Sequence, residues 1–173
     1  MAKYPSTPAG SRITGNLLQS MLPDIVYKNT NEDRSSTTTL TADSELTVAL
    51  EANSVYLIDM QIHYATMSVA GFKTDWSVPS GTTGNRSALG AGSNGVNSTA
   101  DNIDGRFGVH NYPTVVIYGD RDSSTAQLVA IERSILTTST TAGNLTLRWA
   151  QETSNAAATR VGAGSFIIAW RLS

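Results

Sequence analysis

Histidine and carboxylate groups are the side chains of this sequence that could do acid–base chemistry or bind a metal. The chain has only two histidines, His63 and His110, and no cysteine. A zinc site would need both histidines plus carboxylates such as Asp59 or Asp104, and no metal-ligand spacing links them. A Ser-His-Asp triad usually shows a positioned serine, but the G-x-S-x-G motif does not occur. We therefore interpret both histidines as polar residues of a β-sheet.

Two pairs of aspartates could bind calcium through carboxylate oxygens. They are Asp101 with Asp104 in DNIDG, and Asp120 with Asp122 in GDRD. Neither pair fits the twelve-residue EF-hand loop, which ends in a glutamate. Asp and Asn are also common turn formers, because their side chains bond to nearby backbone groups. We favour turns at both places and leave cation binding by either pair open.

A glycine-rich stretch, PSGTTGNRSALGAGSNG, begins at Pro79 and suggests a phosphate-binding loop. Such a loop needs a Gly-Lys-Ser/Thr sequence, and this stretch has no lysine. A dinucleotide-binding turn needs a helix directly after its glycines, and no helical pattern follows here. We interpret residues from about 79 to 108 as an exposed excursion without strand periodicity. The sequence thus assigns no catalytic, cofactor-binding or metal-binding residue, and we expect the protein not to be an enzyme.

The elements that position these groups are mostly β-strands, because apolar and polar residues alternate along much of the chain. The clearest pattern is SELTVALEANSVYLIDMQIHYAT, which predicts a hairpin with EANS as its turn. Its apolar faces are Leu46, Val48 and Leu50, then Tyr56, Ile58, Met60, Ile62 and Tyr64. Further predicted strands are IVYK, STTTL, FKTDWSV, PTVVIYG, AQLVAIERSILTTST, NLTLRWAQ and GSFIIAWRL.

About eight or nine strands with a single short helix predict an all-β fold. Without helices between the strands, we expect an antiparallel β-sandwich or jelly roll over residues 24–173. The alternation places Trp76, Trp149 and Trp170 on apolar strand faces, with Phe166, Ile168, Trp170 and Leu172 pointing together. We therefore predict that the tryptophans pack in the core and form no aromatic platform for sugars.

Residues 1–23 predict an extended arm followed by a short amphipathic helix. Thr14 can cap the helix, and Pro23 ends it. Two turns of helix are too short to be stable alone, so the apolar side must dock on the body or on a neighbouring subunit. The candidate assembly interface comprises Arg12, Ile13, Leu17, Leu18, Met21 and Leu22.

Composition limits the partners of the chain. Its 173 residues are 15% charged, below the roughly 25% usual in soluble domains, and the net charge is −2. Nucleic-acid binding needs clustered Lys and Arg, so we expect no nucleic-acid partner. No apolar run approaches the ~18 residues of a membrane span, and the start lacks the apolar region of a signal peptide. We expect no membrane partner and synthesis in a host cytoplasm.

Several segments in order resemble small β-rich virion proteins of actinobacteriophages and prophages. The similar segments are a Gly-x-Arg-x-Thr start, a Ser-Thr-Thr-Leu stretch, a Glu-Ala-Asn turn, a Trp-x-x-Pro-x-Gly corner and a Trp-Ala-Gln strand. In this chain they are Gly10, Arg12 and Thr14; Ser36 to Leu40 with Leu46; Glu51 to Asn53; Trp76, Pro79 and Gly81; and Trp149 to Gln151 with Asn155. The resemblance covers most of the chain and includes no chemical motif.

The resemblance implies a non-enzymatic structural protein of the phage virion. The leading interpretation is an exterior capsid decoration protein that stabilises the head, and the alternative is a minor tail or receptor-binding protein that contacts the host surface. The expected partners are the major capsid protein or other virion proteins. We also expect a homo-oligomer, with a trimer as one possibility. The expected location is the virion, reached by assembly after synthesis in the host cytoplasm.

Overall fold

A computed structural model describes residue 5, residues 7–92 and residues 105–173 of the protein. Within these residues the chain forms one short helix and twelve β-strands. In chain order they are α1 (Gly15–Gln19), β1 (Asp24–Tyr27), β2 (Glu32–Arg34), β3 (Thr41–Leu50), β4 (Val55–Thr66), β5 (Phe72–Ser77), β6 (Thr83–Ala91), β7 (Gly105–His110), β8 (Val116–Tyr118), β9 (Ser123–Thr137), β10 (Gly143–Ala150), β11 (Thr159–Val161) and β12 (Phe166–Arg171).

The strands form two antiparallel sheets. The large sheet has the order β1-β12-β4-β9-β6-β7, and β11 joins it by pairing with both β4 and β2. The small sheet has the order β3-β10-β5-β8. Side chains from both sheets form one buried core, so the predicted all-β antiparallel sandwich is confirmed.

Period-two alternation correctly identified most of the core. The predicted inward faces of β3 and β4 are buried, as are Leu145, Leu147 and Trp149 of β10. Tyr64 and Phe72 stack with their ring centroids 4.4 Å apart, which packs β4 of one sheet against β5 of the other. The core therefore combines an aromatic cluster around Tyr64 and Phe72 with the aliphatic side chains of Ile58 and Ile62 in the middle of β4.

The predicted hairpin of β3 and β4 is wrong. Strand β3 pairs with β10 in the small sheet, whereas β4 pairs with β9, β11 and β12 in the large sheet. The turn at Ala52 and Asn53 therefore carries the chain from one sheet to the other, with Asn53 at a positive φ of 51°. Both strands have a strongly apolar face, and facing each other across the core buries both faces.

Two segment predictions also need correction. STTTL is not a strand, because Ser36 has a φ of 55° and Thr37 donates its backbone N–H to the Gln151 side chain. The excursion at about 79–108 instead contains β6 and β7, which extend the large sheet beside β9. Small residues such as Gly90, which lies beneath the Tyr118 ring, hid the strand pattern of β6. His110 consequently ends β7 rather than beginning a later strand.

The inward face of β12 is the opposite of the predicted one. Ile167 and Ala169 are buried against β4, whereas Trp170 is half exposed and Leu172 is exposed. Both alternating faces of FIIAWRL are apolar, so periodicity alone could not choose between them. Pairing with β4 decides the matter, because Ala169 lies opposite the inward-facing Ile58. Trp76 and Trp149 are buried as predicted.

Candidate functional site

The N-terminal helix presents an unpacked apolar surface. Thr14 caps α1 as predicted, with its Oγ1 accepting a hydrogen bond from the Leu17 backbone N–H at 3.2 Å. No residue of α1 is buried, and Leu17 is only partly covered. The remaining residues of the predicted assembly interface are exposed: Arg12, Ile13 (70%), Leu18 (56%), Met21 (48%) and Leu22 (68%). The helix ends at Gln19 rather than at Pro23 as predicted, so Met21 and Leu22 follow it, and the exposed apolar side chains belong to α1 and its flanks together.

A second apolar surface lies on the large sheet. We define the outer face as the surface of β1, β12, β4, β9, β6 and β7 that is turned away from the small sheet. Its most exposed apolar residues are Ile25, Tyr27, Leu57, Phe107, Val109, Val129, Ile135 and Trp170. The sequence reasoning missed this surface, because Phe107 and Val109 fell in the predicted excursion. The available signal was the alternation of Val129, Ile131 and Ile135 in AQLVAIERSIL, which gives β9 a second apolar face.

His63 does not hydrogen-bond to a carboxylate among the described residues. His63 lies on the polar side of β4, as predicted, and its Nε2 is 2.8 Å from the Gln61 side-chain nitrogen. It borders a groove of about 490 Å³ that is also lined by Gly90, Ala91, Arg121, Gln127, Leu128 and Val129. No carboxylate is among these described lining residues. Within the described part of the groove, His63 therefore has no carboxylate partner for acid–base chemistry.

The carboxylates of Asp120 and Asp122 stabilise a turn by accepting hydrogen bonds. Asp122 accepts hydrogen bonds from the backbone and the hydroxyl of Ser68, which hold the pKa of its carboxyl below the usual value. Asp120 accepts the Asp122 backbone N–H at 3.0 Å. Asp101 and Asp104 lie outside the described residues. Elsewhere, over the ranges that the structure describes, no three His, Asp or Glu side chains gather as metal ligands.

A buried ion pair of the large sheet is hydrogen-bonded to the small sheet. Arg86 of β6 and Glu132 of β9 are both fully buried, with Nη1 and Oε2 2.5 Å apart. Thr74 and Tyr118, from the small sheet, donate hydroxyl hydrogen bonds to the other Glu132 oxygen at 2.7 and 2.8 Å. Burial, together with the Glu132 charge, raises the pKa of the Tyr118 hydroxyl. Because none of these groups reaches the surface, we assign the cluster a structural role.

A second charged cluster centres on Asp43. Its carboxylate accepts hydrogen bonds from the ammonium of Lys28 and the indole N–H of Trp149, both at 2.9 Å, and from two backbone N–H groups of β3. Lys28 also donates to Glu32 at 2.9 Å. Burial alone would lower the pKa of Lys28, but the bonds to Asp43 and Glu32 raise it. The cluster connects β1, β2, β3 and β10.

Glu32 should make the stability of the protein depend on acid pH. Burial would raise its pKa, but hydrogen bonds from Ser44, Lys28 and Arg34 lower it to about 2. A depressed folded-state pKa gives stability that is complete above about pH 4.5 and is lost as the pH falls toward 2. We expect Glu32→Gln to be about 1–2 kcal/mol less stable at pH 7, after solvent screening.

Urea unfolding at pH values from 7 to 2.5 tests this expectation. The stability difference between the natural chain and Glu32→Gln should shrink steadily below about pH 4.5. A difference that stays constant over this range would contradict the assigned role of Glu32.

Comparisons with known proteins add a fold-level observation. No family model and no curated protein matches the sequence. Among solved structures, the infectious bursal disease virus VP2 subviral particle matches with 9% identity and a TM-score of 0.24, covering 99% of this chain and 47% of that one. A structure of the Gx strain of the same virus matches with 13% identity and a TM-score of 0.20, covering 87% and 41%.

The chain thus spans less than half the length of the viral chains that it matches. TM-scores this low carry no argument about function, and we base the functional argument on the surfaces of the chain itself. One further observation concerns membranes: no helix among the described residues is long and apolar enough to cross one.

Proposed function

We propose that this protein is a non-enzymatic structural component of a phage virion, an exterior decoration protein that attaches to the capsid through its N-terminal segment. The observation that carries the proposal is the exposed apolar side of α1 and its flanks. Four large side chains there, Ile13, Leu18, Met21 and Leu22, are exposed to between 48% and 70%. The order of sequence segments shared with virion proteins of actinobacteriophages supports the same assignment.

Attachment through this segment is physically reasonable. Burying a large apolar side chain contributes roughly 1.5–3 kcal/mol, so four of them offset a large part of the roughly 4–15 kcal/mol that association with a neighbouring subunit costs. Pro8 and Gly10 precede the helix in a turn where the Ser11 N–H donates to the Pro8 carbonyl. The segment joins the sandwich through residues 20–23, between α1 and β1, and from there it can lie across a neighbouring capsid subunit. The Ser/Thr-rich sandwich then remains outside as a polar domain.

A binding experiment with purified capsids tests the proposal. We expect deletion of residues 1–22 to abolish co-sedimentation with capsids of the encoding phage, while circular dichroism still reports a folded sandwich. We also expect Leu18→Asp/Leu22→Asp to bind at least about a hundredfold more weakly, because two apolar contacts are lost. Gln19→Asp/Ser20→Asp is the matched control, because it adds the same charge to the same turn and should bind normally.

Two results would overturn the proposal. One is normal capsid binding by the Leu18→Asp/Leu22→Asp variant. The other is binding of the protein to host cells or cell-wall glycan with no binding to capsids. That second result is what the alternative, a minor tail or receptor-binding protein, predicts.

A further inference from the structure

The outer face carries an apolar area that is large for a surface in contact with water. Its eight exposed apolar residues leave on the order of 800 Å² uncovered, taking their exposed fractions and about 150–250 Å² for each large side chain. Soluble monomers rarely expose a contiguous apolar patch beyond about 300–600 Å². A standard protein–protein interface buries about 800 Å² on each partner. The outer face therefore has the area of one complete interface.

The charge on the outer face is balanced and central. Along its six strands as described, the charged side chains that point outward are Asp59 of β4 and Arg133 of β9. These two lie directly opposite each other, with Arg133 Nε 3.1 Å from Asp59 Oδ1. Strands β4 and β9 are the middle pair of the six. A partner must therefore supply an apolar surface with one anion and one cation at its centre, and the chain itself has such a surface.

The strand register arranges the residues of the outer face evenly about the line between β4 and β9. In one row across the sheet, Arg133 and Asp59 flank this line, and Val109 and Ile25 lie at the two ends. In the next row of outward side chains, Phe107 and Tyr27 lie at the two ends. The complete second row is Phe107, Leu89, Ile131, Gln61, Phe166 and Tyr27.

We propose that the outer face is a twofold interface between two copies of this chain, with the symmetry axis along the strands between β4 and β9. Rotation about this line lays Arg133 of one copy over Asp59 of the other, so the ion pair is exchanged between chains. It also lays Phe107 over Tyr27 and Val109 over Ile25. Every contact occurs twice, as in an isologous dimer.

The geometry fits known sheet packing. Two sheets stack face to face at about 10 Å with their strands aligned within about 30°, and the strands along a twofold axis meet this condition. The interface leaves α1 and its flanks out of the contact, because they precede β1 and lie away from the strands of the outer face. The dimer does not rest on the proposed function, and failure of capsid binding would leave it unaffected.

Mass measurement by sedimentation velocity is the first test. We expect the full chain to sediment at twice its 18.3 kDa mass. Ile135→Glu, at a site that is 54% exposed near the axis, should raise the dimer Kd roughly tenfold or more. Val69→Glu is the matched control, because Val69 is 55% exposed but lies in the turn before β5, and it should remain a dimer.

Charge exchange gives a test that does not depend on apolar packing. Arg133→Asp places four carboxylates around the axis and should dissociate the dimer. Asp59→Arg/Arg133→Asp restores one cation and one anion on each copy and should restore it. Since an exposed ion pair contributes little to folding, circular dichroism should report a folded sandwich for both variants.

Cross-linking tests the direction of the axis. The chain has no cysteine, so only introduced thiols react. Phe107→Cys/Tyr27→Cys places thiols on opposite edges of one sheet, about 24 Å apart over five strand spacings. A short bismaleimide should therefore link two copies of this double variant and neither single variant.

Three results would overturn the proposal: a monomer at every concentration, a mass of three chains, or a dimer that Ile135→Glu and Arg133→Asp leave intact. The first, found together with outer-face variants that lose binding to a capsid or a glycan, would assign the face to that partner instead.

Discussion

Replacing Arg86 by methionine is expected to destabilise the sandwich by about 3–5 kcal/mol, a large part of the 5–15 kcal/mol that holds a typical domain folded. The guanidinium bonds to Glu132, to the Thr74 carbonyl at 3.0 Å and to the Thr114 carbonyl at 2.6 Å. Its removal leaves the Glu132 carboxylate fully buried without a counter-charge. Urea unfolding at pH 7 measures the loss.

Two variants separate this effect from a general loss of volume. Arg86→Met/Glu132→Leu removes both charges and should be more stable than the Arg86→Met variant, because no unpaired charge stays in the core. Arg160→Met removes an arginine of the same sheet from the more exposed pair with Asp33 and should cost at most about 1 kcal/mol. Equal destabilisation by Arg86→Met and Arg160→Met would show that the buried pair has no special importance.

Asp43→Ala is expected to cost a similar amount, about 3–5 kcal/mol. The Asp43 carboxylate is fully buried and satisfies four donors, among them the Lys28 ammonium and the Trp149 indole. In the alanine variant, Glu32 is the remaining carboxylate within 3 Å of the Lys28 ammonium. The indole N–H of Trp149 stays inside the core without its acceptor. The thermal midpoint should fall by about 6–20 °C, at about 2–4 °C for each kcal/mol in a domain of this size.

Asp33→Ala serves as the comparison for Asp43→Ala. Asp33 also pairs with a cation, because Arg160 Nε lies 2.7 Å from its carboxylate, but the pair is largely exposed. We expect a loss of no more than about 1 kcal/mol there. If both variants lowered the thermal midpoint equally, the buried position of Asp43 would not explain its effect.

Strand periodicity predicted the parts of the fold in which one face is apolar and the other polar. Strand β4 is the best case, because Ile58, Met60 and Ile62 alternate with Asp59 and Gln61. The inward face of β12 was predicted wrongly because both faces of the strand carry large apolar residues. The register with β4 determines which face is buried. The prediction missed strand β6 because Gly84 and Gly90 interrupt its apolar alternation. Both glycines lie where a larger side chain would collide with a tyrosine.

Local sequence patterns could not predict which distant segments of the chain contact each other. The partners of Asp43 and Glu132 lie as many as 106 and 58 residues away along the chain. Nothing near Arg86 in the sequence indicates its buried partner, because Glu132 lies 46 residues away. The N-terminal segment was predicted in part, since Thr14 caps a short helix as expected, but the helix ends at Gln19 and not at Pro23.

The pairing of β1 with β12 has a consequence for the order of events in biosynthesis. Ile25 emerges from the ribosome long before its partner Ile168, so the large sheet cannot be completed until almost the whole chain has been translated. Such distant pairing makes folding slow, in the millisecond-to-second range. The N-terminal segment, which pairs with no distant strand, is exposed from the start. A partner could therefore bind the N-terminal segment of a nascent chain before the sandwich has folded.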